Sequence, residues 1–230
     1  MKRFLFALTL AAAGVGCLPF YNGAERVVAA DAAVSATAGY ASVYDSLHLQ
    51  GRLSRKAFDW AVEGYERAGG GGRGVLTVID FSKPSTAERL FVIDIERVRL
   101  LCASHVSHGK GSGGLYARAF SNREGSHMSS LGFYRTCGTY RGSNGYSLRL
   151  DGLERGINDN AMRRAIVVHG ADYCDPALAA QGVRLGRSFG CPAVPRAEAR
   201  RIIDLIKDGT LLFIYADDAD YLRRSEMVEG

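Results

Sequence analysis

Apolar and polar positions alternate with two different periods along this chain, and the change of period divides it. Phe58, Ala61, Val62 and Tyr65 stand at i, i+3, i+4 and i+7, so they share one face of a helix. Ser54 is placed to cap that helix, and Gly69 to Gly72 ends it. From Val75 onward the pattern is that of strands. Val75 to Phe81 is an apolar, β-branched run, and Arg89 to Ile95 and Val98 to Val106 form two strands joined by a tight turn at Glu96-Arg97. Gly132 to Thr136 is another strand, followed by Thr139 to Leu150, which Gly142-Ser143-Asn144-Gly145 breaks into a hairpin. Ala165 to His169 reads as a short buried strand that ends on its histidine. Pro195 opens a second helix at its first position, where no backbone N–H is needed. Ala199, Ile202, Ile203 and Ile206 form its apolar stripe, Gly209 closes it, and Thr210 to Tyr215 is the last strand. Many strands with few helices predict an α+β fold that is mostly β, a sandwich or barrel-like sheet with flanking helices. No internal repeat is visible.

The N-terminus carries a different signal. Lys2 and Arg3 precede an apolar run from Phe4 to Ala13, too short to span a bilayer, and small residues lead to Gly16-Cys17. This is the form of a secretory leader, so the protein is expected to be exported, periplasmic or envelope-associated. Cys17 stands where a lipoprotein carries its lipidated cysteine, but Gly14 occupies a position usually aliphatic in such signals. Membrane anchoring through a lipidated Cys17 and plain cleavage, for example after Ala13, both remain open. The expected organisation is a leader at 1–17, a linker at 18–41, a helical segment at 42–74 that packs on the main domain, a strand-rich domain at 75–217 and a polar tail at 218–230.

Net charge is +5, but Arg163-Arg164, Arg200-Arg201 and Arg223-Arg224 are separated by acidic or apolar residues. No basic run is interleaved with aromatics, so no nucleic-acid surface is predicted. Besides Cys17 there are four cysteines, Cys102, Cys137, Cys174 and Cys191. An exported protein can form disulfides from them, but spacing does not give their pairing. No CxxC pair is present, and His48, His105 and His127 lack ligand spacing, so no metal is expected. Gly109-x-Gly111-x-x-Gly114 resembles a dinucleotide loop only superficially, because no helix is predicted after it. No cofactor is expected.

Cys191 lies between small residues in Gly186-Arg187-Ser188-Phe189-Gly190-Cys191-Pro192-Ala193. A thiol becomes a strong nucleophile only when deprotonated, so it needs a base or a positive field nearby. His169 follows the apolar run Ala165-Ile166-Val167-Val168 and precedes Gly170, a good place to present an imidazole to a cleft. The amides of Gly190 and Cys191 are candidate oxyanion donors. Arg187 is a candidate for a charge-assisted contact to a substrate carboxylate, with a surface salt bridge as the alternative. Cys174 is a rival thiol without the Gly-Cys turn, read as structural or disulfide-bonded, and His108 is either a cleft residue or polar loop filler.

These segments together resemble the L,D-transpeptidase catalytic domains that act on bacterial peptidoglycan, in the subgroup with a Ser-x-Gly-Cys-Pro-Ala signature. The pieces that carry the resemblance are His169-Gly170-Ala171-Asp172-Tyr173 and Gly186 to Pro195. Ile79 to Ser85, Ser107-His108-Gly109, Phe120 to Arg123, Ser130 to Tyr134, Leu150 to Glu154 and Asn158 to Ala161 support it, in order, over about 42 to 217. The resemblance implies an L,D-transpeptidase-like fold with Cys191 as nucleophile, His169 as base and Ser188 beside them in the turn. It also implies Gly190, Gly170, Arg187 and Tyr173 as oxyanion and substrate-binding residues. The implied reaction attacks the third residue of a stem peptide, releases the terminal D-Ala and passes the acyl group to a neighbouring stem as a 3→3 cross-link. A backbone carbonyl often orients the histidine in this family. The chain lacks the commoner Ser/Thr-His-Gly-Cys form and its following arginine, which leaves open water as acceptor, cleavage of protein–peptidoglycan links, or a non-catalytic peptidoglycan-binding envelope protein. A sortase-like enzyme is disfavoured because no partner arginine motif follows Cys191.

Overall fold

The computed structural model describes residue 40 and residues 42–228. The leader, Cys17 and all but the end of the predicted linker therefore lie outside the described residues. Helix α1, Arg55–Arg67, forms where the apolar stripe predicts it. The Ser54 side chain accepts from the Ala57 N–H, and the Ser54 N–H donates to Asp80, tying the helix start to the end of strand β1, Val75–Asp80. Phe58, Ala61, Val62 and Tyr65 are all buried.

The remaining strands are β2 (Leu90–Asp94), β3 (Arg99–Ser104), β4 (Gly132–Gly142), β5 (Gly145–Gly152), β6 (Val167–Ala171), β7 (Ala193–Pro195) and β8 (Leu211–Tyr215). They form one eight-stranded sheet in the order β3-β2-β1-β8-β4-β5-β6-β7. The β1–β8 and β6–β7 pairs are parallel and the others antiparallel. An antiparallel bridge from Ser107, just past β3, to Ala193 in β7 brings the two ends of the sheet together as a nearly closed barrel. Helix α2 is the short Pro176–Ala180 and helix α3 is Arg196–Ile206. The α3 stripe of Ala199, Ile202, Ile203 and Ile206 is buried, and the helix packs on β5, β6 and β7 as well as on β1 and β2. One helix reaches both halves because the sheet curls around it.

On the other side α1 covers β1 and β8, with Trp60 edge-on to Tyr215 at 5.4 Å between ring centroids. Phe133 stacks on Phe213 at 4.2 Å and fills the space beside Gly64, where a β-carbon would come within 2.0 Å of its ring. With both faces covered, β1, β2 and β8 are buried at every residue, which explains their unbroken apolar runs.

Five expectations need correction. Gly132 to Gly142 is one strand, because a bulge between Thr136 and Thr139 absorbs Gly138 without ending the ladder. Ala165 is exposed with φ +53°, so β6 begins at Val167 and His169 sits at mid-strand. Pro195 closes β7 and stands at the N-cap of α3, one position before the expected one. The supposed polar tail folds into helix α4, Ala219–Arg224, capped by Asp218, with Tyr221 and later Val228 buried in the main core. Its apolar residues are too few to show a period. Among the described residues Cys174 is a free thiol, as are Cys102 and Cys191, so the disulfide reading of Cys174 does not hold. Cys174 is fully buried, and burial pushes its thiol up to about 11.

Candidate active site

The loop carrying Cys191 connects α2 to β7 and is held by its own polar groups. The Ser188 hydroxyl donates to the Cys191 carbonyl at 2.6 Å and accepts from the Gly190 N–H at 3.0 Å. The Ser188 N–H donates to the His108 carbonyl at 3.0 Å, and Lys110 N–H returns a bond to the Ser188 carbonyl at 2.8 Å. Ser129 adds a clamp: its hydroxyl donates to the Gly190 carbonyl and accepts from the Gly109 N–H, both at 3.0 Å. Gly190 has φ +128°, and a β-carbon there would lie 2.8 Å from the Met128 carbonyl oxygen. Only glycine fits such a turn without strain.

Ser188 is thus buried and shapes the turn. The Gly190 N–H, expected as an oxyanion donor, is spent on Ser188 Oγ. Cys191 itself is partly buried, and Sγ donates to the Ala165 carbonyl at 3.6 Å. Burial pushes its thiol above the ordinary value, while the Val167 N–H, the Arg164 charge and its own N–H draw it back.

His169 lies on β6 directly opposite Ala193 of β7, two residues beyond Cys191, so strand pairing brings the two regions side by side. Its Nδ1 is 3.1 Å from the Gly170 carbonyl oxygen. A carbonyl only accepts, so Nδ1 carries the proton and Nε2 is left bare. Burial pulls His169 below the ordinary imidazole range; the Gly170 carbonyl opposes this and the Arg196 charge adds to it. Among the described residues no hydrogen bond joins Cys191 to His169; each points to a backbone carbonyl.

The other expected site residues have structural partners. Gly170 supplies the carbonyl that orients His169, and its bare α-carbon admits α3, since a β-carbon would come within 2.8 Å of Ala199 Cβ. Tyr173 is half-buried, accepts from the Gly186 N–H at 2.8 Å and packs its side chain on Gly186. Burial, with Cys191 and Cys174 nearby, pushes its hydroxyl up to about 12. Among the described residues Arg187 forms no salt bridge; Nη1 donates to the Gly113 carbonyl at 2.7 Å and to that of Lys110 at 3.3 Å. Phe189 is 65% exposed, with the Lys110 ammonium 4.2 Å from its ring centre and His127 at 4.6 Å. A groove of about 400 Å³ opens past the ends of β6 and β7, lined by Ala171, Asp172, Asp175, Pro176, Pro195, Arg196 and Ala197.

Residues that the pattern did not single out complete the surroundings. Arg89 is fully buried and donates to the Val106 carbonyl, the Lys83 carbonyl and His108 Nδ1, the last at 2.9 Å. His108 is therefore neither cleft residue nor loop filler but a buried brace behind the Cys191 loop. Arg164 and Ser129 were equally unmarked. For Arg164, the only local sign was a basic residue directly ahead of an apolar strand.

The family model described as L,D-transpeptidase catalytic domain matches residues 49–215. Solved structures similar to the chain include an L,D-transpeptidase from Mycobacterium smegmatis, 15% identical over 64% of this chain and 60% of that one, TM-score 0.37. Others are the helical cell shape determining protein Pgp2 from Campylobacter jejuni, 12% identical over 63% and 47%, TM-score 0.43, and L,D-transpeptidase 1 from Mycobacterium tuberculosis, 15% identical over 64% and 63%, TM-score 0.35. The chain spans less than two thirds of the length of each. No curated protein matches it.

Proposed function

The chain belongs to the L,D-transpeptidase catalytic domain family, and on that premise we propose that it is a cysteine acyltransferase forming 3→3 cross-links between peptidoglycan stem peptides. The observation that carries the proposal is the His169 tautomer. Nδ1–H donates to the Gly170 carbonyl, which leaves Nε2 free to act as a base on the strand paired with the one that leaves Cys191. Burial disfavours charge on both groups, so the resting pair is a neutral thiol and a neutral imidazole. Proton transfer then accompanies attack.

In the acylation step the Cys191 thiol turns from the Ala165 carbonyl, gives its proton to His169 Nε2 and attacks the carbonyl carbon of the third stem residue. The terminal D-Ala leaves with that proton on its nitrogen, and a thioester remains. An amine of a neighbouring stem then loses a proton to His169 and attacks the thioester. The new amide forms, and sulfur leaves to be protonated again. Ser188 and Ser129 hold the nucleophile turn throughout, since both bind its backbone carbonyls. Peptidoglycan lies outside the cytoplasm, so the proposal includes export, in keeping with the leader-like N-terminus.

Incubation with disaccharide-tetrapeptide muropeptides, followed by mass spectrometry, tests the reading. Dimers lacking one D-Ala are expected. Tripeptide monomers alone would replace cross-linking by carboxypeptidase activity, and unchanged substrate would overturn both. Cys191→Ala should abolish turnover while thermal unfolding stays near that of the parent; retained activity would remove Cys191 from its role.

A further inference from the structure

Arg164 sits in the turn before β6, immediately ahead of Ala165, the residue whose carbonyl accepts from Cys191 Sγ. Nη1 donates to the Ser121 carbonyl at 2.7 Å and the Ser130 hydroxyl at 2.5 Å. Nη2 donates to the Met128 carbonyl at 2.5 Å and the Ser126 hydroxyl at 3.4 Å. All four acceptors are neutral. Among the described residues Arg164 makes no salt bridge, whereas its neighbour Arg163 pairs with Glu124 at 3.5 Å. The guanidinium is therefore fixed, half-buried and not cancelled by a carboxylate. It also lies against the nucleophile turn: a β-carbon on Gly190 would be 3.2 Å from Nη2.

We propose that Arg164 is the charge partner of the Cys191 thiolate, supplying from the turn before β6 the fixed positive field that a cysteine nucleophile needs. The inference rests on Cys191 being the nucleophile. It divides the labour: His169 receives the proton, and Arg164 stabilises the negative sulfur left behind.

The other ionisable groups around the site do not supply that field. His169 on β6 is held neutral by burial. Tyr173, on the turn after β6, is an undissociated phenol. Arg196 at the start of α3 is paired with Asp172 at 2.5 Å. On the nucleophile loop, Arg187 is directed at the Lys110 and Gly113 carbonyls. Lys110 and His127 face the Phe189 ring, and His108 is buried against Arg89. The Arg164 charge is the side-chain influence that draws the Cys191 thiol down against the larger upward push of burial.

The experiment is the pH profile of Cys191 alkylation by iodoacetamide, in which the thiolate displaces iodide and the thioether is counted by peptide mass spectrometry. Arg164→Gln should raise the midpoint by about one pH unit, and Arg164→Lys should stay near the parent. A purely structural arginine would lower the rate at every pH and leave the midpoint in place, and that result overturns the inference. If Arg164→Gln does not fold, citrulline installed at position 164 keeps the shape without the charge; an unmoved midpoint there is equally fatal. Cys191 inert at all pH values would instead sink the nucleophile reading. Alkylation with a midpoint indifferent to Arg164 sinks only the charge partner.

Discussion

His169 and Cys191 are held in their neutral forms by the same cause, removal from water, acting on groups of opposite charge type. For the imidazole, burial disfavours the cation and lowers the pKa. For the thiol, it disfavours the anion and raises the pKa. In the proposed mechanism the productive resting state therefore exists over a broad window. As pH falls, activity disappears only when Nε2 becomes protonated, so the acid limb of kcat/KM should lie below the ordinary histidine value of about 6.5. An acid limb at or above that value would contradict the neutral pair. His169→Ala should lower kcat by about two to four orders of magnitude with little loss of stability.

At the scale of elements, the segment from β3 to the nucleophile loop is braced by the buried Arg89–His108 pair. Burial first, and the Arg89 charge next, bring His108 down to about 4, while burial brings Arg89 down to about 9. In the unfolded chain a histidine takes up its proton near pH 6.5, but the folded protein refuses it until about pH 4. Stability contributed by the neutral form is therefore present above pH 6.5 and is lost as pH falls toward 4, by up to about 3 kcal/mol. His108→Gln offers an acceptor to Arg89 and a donor to the Gly113 carbonyl, and it cannot titrate. Urea unfolding at pH 7 and pH 4.5 should show a smaller difference for that variant than for the parent. Equal slopes would mean that other groups govern acid sensitivity. His108 was visible in the sequence as a polar residue ahead of a glycine, but its partner lies 19 residues away on another segment. No local pattern connects the two.

Across the whole molecule, closure of the sheet and the C-terminal helix complete what the separate elements begin. The Ser107–Ala193 bridge joins the ends of the sheet beside the Cys191 loop, and Tyr221 of α4 joins the main core together with Val228 beyond it. Tyr221 of α4 packs near the Phe213 ring, and its hydroxyl is 3.3 Å from the buried Glu154 carboxylate, which also accepts from Ser225 Oγ and the Phe133 N–H. Tyr221→Ala removes both the ring and one of these donors, so it should cost about 3 kcal/mol, read by urea unfolding. A loss under 1 kcal/mol would restore the view of this segment as a dispensable tail.

The strands, the two long helices and the glycine-cysteine turn were legible because each is a local matter: side-chain period, β-branching, capping and glycine placement act within a few residues. Cys191 and His169 stood out for the same reason, Cys191 set between small residues and His169 at the end of an apolar run that opens into a glycine. The chain could not reveal from its order alone that β6 and β7 lie side by side, that Ser188 uses up the Gly190 N–H, or that Arg164 rests on Gly190. Nor could it show that a lone tyrosine near its end belongs to the core. Those are consequences of long-range register and burial, where a hydrogen-bond partner or a charge is chosen by three-dimensional proximity between segments that carry no shared pattern.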